Sequence, residues 1–120
     1  MSHLHVRWAR FFTLAGWSWK LAAPYSGFDF HVTMPCLNSE CHGAHTLSVR
    51  ICERSREALE RLHYEMFSVD DMYGSRHAAL FGNGPRNTVW QMCHGSGGGE
   101  YHVDEWSVDA KSLWERSGHE

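Results

Sequence analysis

Gly27-Phe28-Asp29-Phe30-His31-Val32-Thr33-Met34 reads as a β-strand, because Phe28, Phe30, Val32 and Met34 alternate with Asp29, His31 and Thr33. A polar arm over residues 36–45 follows Pro35, which ends the strand. After it Leu47, Val49 and Ile51 alternate with Thr46, Ser48, Arg50 and Cys52, the pattern of a second strand with one buried face. If the two pair side by side, Asp29 and His31 share a polar surface with Ser48 and Arg50.

The remaining elements follow from spacing and punctuation. Trp8, Phe11, Phe12 and Ala15 recur at helical intervals and Gly16 stands at the usual left-handed cap, which predicts a helix over 5–15. Trp17, Trp19 and Leu21 alternate as a strand that stops before Pro24, and Tyr25-Ser26-Gly27 makes a turn. Ser55 is a suitable N-cap for a helix over 56–67, whose apolar stripe is Ala58, Leu59, Leu62 and Met66. Its charges Arg56, Glu57, Glu60, Arg61 and Glu65 face water in this reading. Residues 68–86 read as an irregular loop around a short segment 78–81, with Gly74, Gly82, Asn83, Gly84 and Pro85 as breakers. Residues 88–93 form a further strand, and 101–106 its hairpin partner across a glycine-rich loop. A last helix, capped by Ser107 or Asp109, holds Ala110, Leu113 and Trp114 and ends near Gly118. The expected fold is one α+β domain over 1–120, a compact mixed sheet of four or five strands flanked by an N-terminal, a central and a C-terminal helix.

Composition narrows the function. Six Trp, six Phe and four Tyr must supply much of a small, dense core. With 11 basic and 14 acidic residues the formal charge is −3, which argues against a broad footprint for duplex nucleic acid. The ten histidines change charge at mildly acidic pH or serve as metal ligands. No apolar run reaches the length of a membrane span and no leader pattern opens the chain, so the expectation is a cytoplasmic protein with four reduced or metal-bound cysteines.

The order helix, strand, strand, strand, helix, with an acid on the second strand and a polar pair two apart on the third, resembles the PD-(D/E)xK nuclease superfamily. The opening Arg7-Trp8-Ala9-Arg10-Phe11-Phe12 is similar to that of small phage-encoded members, and the resemblance covers residues 5–67, with a weaker echo in Trp90-Gln-Met-Cys-His-Gly-Ser-Gly-Gly-Gly99. It implies a restriction-endonuclease-like fold. It also implies that Asp29 stands at the metal-binding aspartate and Ser48-Val49-Arg50 at the Glu-x-Lys pair. Serine removes a hard oxygen ligand for Mg²⁺ or Mn²⁺, and arginine cannot serve as a base near neutral pH. His31, Glu53 or Glu40 are the substitutes at hand, although Glu53 lies beyond the strand. A plain cross-strand ion pair between Asp29 and Arg50 is the structural alternative.

A second constellation is Cys36-x4-Cys41-His42-x2-His45 with Cys93-His94 far along the chain. Cys36, Cys41, His45 and one of Cys93 or His94 would complete a tetrahedral structural zinc site; the alternative is reduced thiols beside exposed histidines. Gly95, Gly97, Gly98 and Gly99 lack the lysine ending of a phosphate loop and read as a flexible hairpin loop whose amides can still touch phosphate or a partner. Two functions are therefore expected. One is a phage-type accessory protein with an inactive nuclease-like fold that binds a host protein or nucleic acid, a class that includes inhibitors of host defence. The other is a divalent-metal-dependent DNA or RNA endonuclease with remodelled ligands.

Overall fold

The computed structural model describes residues 2–36, 43–66, 77–94 and 97–118, apart from the side chains at 92–94. The elements run α1 (His3–Leu14), β1 (Ser18–Leu21), β2 (Phe30–Pro35), β3 (Ala44–Ile51), α2 (Arg56–Met66), β4 (His77–Phe81), β5 (Thr88–His94), β6 (Gly97–Tyr101), α3 (Val103–Trp106) and α4 (Ala110–Ser117). The strands form one mixed sheet of six in chain order. β3 and β4 are parallel and the other neighbours antiparallel. The parallel pair needs a crossover, and α2 lies between its two strands in the chain.

Each face of the sheet has its own core. Phe30, Val32, Met34, Leu47, Val49, Ala79, Phe81 and Trp90 pack with Trp8, Phe11 and Phe12 of α1 and Ala110 and Leu113 of α4. On the opposite face Leu80 and Val89 meet Leu59 of α2, with Cys52 and Leu62 at the margin. Trp8 sits at the centre of the larger core, its ring 4.8 Å from Phe81 and 4.6 Å from Trp114, while its indole N–H donates to the Gly82 carbonyl at 2.7 Å. Arg7 fixes α4 to α1 by donating to the Trp114 carbonyl at 2.7 Å and stacking 4.0 Å over the Trp114 ring.

The cap at the end of α1 forms as its sequence dictates. Gly16 takes φ +77°, Trp17 N–H donates to the Phe12 carbonyl and Gly16 N–H to that of Thr13. Trp17 then stacks on Phe12, so a Schellman turn and its apolar contact deliver the chain into β1. Ser55 caps α2 through the Ala58 N–H, as its position suggests.

Four readings of the chain need correction. The sheet has six strands rather than four or five. Within the supposed loop 68–86, His77–Phe81 is a strand buried along its whole length, while 67–76 lies outside the described residues. Gly97, Gly98 and Gly99 belong to β6, paired with His94, Cys93 and Met92 respectively, instead of a flexible loop. The 101–106 hairpin strand is replaced by Tyr101 ending β6 and by the short helix α3, whose first turn holds Asp104 and Glu105 at the favourable end of the dipole.

Gly82 ends β4 where backbone crowds in. A Cβ there would meet the carbonyl oxygens of Arg54 and Asn87 at 3.0 Å and of Cys52 at 3.1 Å. Main-chain atoms cannot swing aside, so Gly82→Ala is expected to lower unfolding free energy by about 1–3 kcal/mol, read from chemical denaturation. A neutral result would show that the turn has slack.

Candidate functional site

The register brings the residues of the family position to the same end of the sheet. His31 faces Ser48 across β2 and β3, and Phe30 faces Val49, so Asp29, one residue before β2, lies level with Arg50. Asp29 is engaged through both carboxylate oxygens. One carboxylate oxygen of Asp29 accepts the Ile51 N–H at 2.7 Å and the other lies 3.1 Å from Nε2 of His5 on α1. The His5 ring continues to the Ser2 hydroxyl, 2.6 Å from Nδ1, and that hydroxyl oxygen already accepts the His5 N–H as the helix cap. Asp29 thus ties the first turn of α1 to the end of β3. Arg50 is exposed and makes no ion pair with it, so the cross-strand pair expected as an alternative does not form.

Among the described residues, His31 and Glu53 form no group of metal-ligand type with Asp29. Nδ1 of His31 bonds the Ser48 hydroxyl at 3.1 Å, and Thr33 bonds Thr46 in the next row at 3.0 Å, which makes a ladder of neutral polar pairs. Glu53 lies past β3 and is exposed; Glu40 is outside the described residues. In the arm, the Cys36 N–H donates to the Gly43 carbonyl and closes the base. Cys36 is a buried thiol, and His45 is buried with its ring 5.8 Å from His77 and 6.2 Å from Trp106. Cys41, Gly95 and the side chains of Cys93 and His94 lie outside the described residues, and Gly99 on β6 has open space about it.

A different group of ligand-type side chains does come together. Donor atoms of Glu60 on α2, Glu100 on β6 and His102 before α3 all lie within 4.8 Å of one another. His102 is 4% exposed; its Nδ1 bonds the Thr88 carbonyl, and its Nε2 lies 3.6 Å from a Glu100 oxygen. Thr88 is itself fixed, donating to the Pro85 carbonyl and accepting the Val103 N–H. Burial and then the adjacent Glu60 charge hold the Glu100 carboxyl above its ordinary pKa. Arg56 spans this group, with Glu60 at 3.6 Å, Asp104 at 3.5 Å and Glu105 at 2.7 Å. The Glu105 hydrogen bond lowers the pKa of that exposed carboxyl.

No protein-family model, curated protein or solved structure matches this chain.

Another concave feature is a groove of about 440 Å³ beside α1, lined by Val6, Ala9, Thr13, Leu14 and Trp19 together with Arg10 and Arg116. Leu14 and Trp19 are more than a third exposed, and Leu21 farther along β1 more than half. β1 is the end strand of the sheet and is exposed along its length, so its outer edge is open among the described residues. Charge is segregated in the same direction. The first carboxylate of the chain is Asp29, whereas Arg7, Arg10 and Lys20 all precede it. Trp19 alternates with Trp17 yet stays exposed, because β1 is an end strand and only part of its apolar face is covered.

Proposed function

We propose that this protein works by binding a partner protein, on a nuclease-like scaffold that does not cut nucleic acid. The observation that carries this reading is the groove between α1 and the open edge of β1. It joins apolar and cationic lining residues to a strand that ends the sheet among the described residues, the three things that an extended peptide with alternating apolar and acidic side chains requires. A net acidic chain whose first 28 residues hold cations and no carboxylate favours an acidic partner there over a second copy of itself. The order helix, three strands, helix agrees with the resemblance, and the use of Asp29 as a tie between α1 and β3 argues against a retained metal centre at that position. The same reading admits a host protein as the target and a counter-defence role. Among the described residues no helix is long and apolar enough to cross a membrane.

Charge reversal tests the reading. Fluorescence anisotropy of labelled peptides alternating leucine with glutamate or with lysine is expected to show binding of the acidic one. Arg10→Glu with Arg116→Glu, both at exposed positions, is expected to weaken that binding by about tenfold and to favour the lysine peptide. Equal affinity for both peptides, no response to the reversal, or self-association through the groove would contradict it.

A further inference from the structure

We propose that Glu60, Glu100 and His102 form a binding site for a divalent transition-metal ion, with zinc the preferred occupant, clamping α2 to β6.

The imidazole is the strongest part of the argument. His102 is almost wholly buried, and its Nδ1 faces the Thr88 carbonyl, which can only accept; Nδ1 therefore carries the proton, and in the neutral ring Nε2 presents its lone pair. That nitrogen lies 3.6 Å from a Glu100 carboxylate oxygen, too far for a hydrogen bond. Two ligands at about 2.1 Å from a tetrahedral ion stand roughly 3.4 Å apart, so this spacing suits a shared metal. The widest separation in the group, within 4.8 Å, closes by a turn of the half-exposed Glu60 or the exposed Glu100 side chain. A ligating histidine whose other nitrogen donates to a backbone carbonyl is the usual support that fixes ring and tautomer, and buried Thr88 supplies it here.

The electrostatics agree in sign. Glu60, Glu100, Asp104 and Glu105 surround one guanidinium, Arg56, so the group remains net negative after that ion pair. A cation between Glu60 and Glu100 would relieve their mutual repulsion. One imidazole and two carboxylates favour zinc over manganese, and magnesium, which takes oxygen ligands, least.

The test uses the full chain freed of metal by chelation. Calorimetric titration with Zn²⁺, Mn²⁺ and Mg²⁺ is expected to give one zinc per chain at this site, weaker manganese and negligible magnesium. Glu60→Gln with Glu100→Gln is expected to raise the zinc Kd by at least about tenfold. Cys36→Ser with Cys41→Ser should leave the site intact, which separates it from any zinc bound in the arm. Cobalt gives a second readout, visible ligand-field bands without a thiolate charge-transfer band, and unfolding curves confirm that the variants are folded. Absence of bound ion, zinc binding unaltered by the glutamine variants, or binding lost wholly with the cysteines would overturn the proposal.

Discussion

Trp8→Ala is expected to remove most of the stability of this protein. The side chain is fully buried against Phe11, Phe12, Phe81 and Trp114, and its N–H satisfies the Gly82 carbonyl. Loss of so large an aromatic from a packed core costs about 3–5 kcal/mol. The abandoned carbonyl adds roughly 1–3 kcal/mol more unless water reaches it. Native domains have only about 5–15 kcal/mol to lose, so the variant should be largely unfolded near physiological temperature or in low urea. Trp8→Phe keeps much of the ring and loses the hydrogen bond, and is expected to fall between wild type and the alanine variant. Equilibrium urea unfolding checks both; a loss below about 1 kcal/mol for alanine would mean that the core closes over the gap.

Asp29 gives the second large effect, through a different cause. Asp29→Ala leaves the Ile51 N–H without its acceptor and releases His5, so the ends of β2, β3 and α1 lose a common anchor. The expected cost is about 1–3 kcal/mol. Asp29→Asn keeps an oxygen for the Ile51 N–H and should recover most of that loss, whereas His5→Ala should cost less than Asp29→Ala, because it removes only the half-exposed arm of the contact. A metal ligand would behave otherwise, since asparagine removes the charge that a cation needs.

The elements with one buried face were legible in the sequence. β2 and β3 alternate cleanly because α1 covers one side and the His31–Ser48 and Thr33–Thr46 pairs occupy the other, and their pairing follows from that pattern. α1 announced its end through Gly16. β4 was not legible, because His77-Ala78-Ala79-Leu80-Phe81 is buried on both faces and shows no alternation between two groups of breaker residues. β6 escaped notice for a simpler reason: three glycines pair through main chain alone and leave no side-chain pattern. At the site, the register of Asp29 with Arg50 could be read, but the reach of His5 depends on how α1 lies across the sheet. Glu60 was counted among solvated charges because helical spacing cannot reveal that β6 passes beside α2. His102 carried no local motif at all; its meaning comes from Thr88 and Glu100, which are brought to it by the last two strands.

Binding without cleavage is the central claim, and a cleavage assay on purified wild type beside Asp29→Asn tests it most directly. Single-stranded DNA, duplex DNA and RNA, each incubated with Mg²⁺ or Mn²⁺, should remain intact with both proteins. Cutting by wild type that disappears in Asp29→Asn, with the unfolding midpoint unchanged, would place a working metal centre at Asp29 and contradict the account.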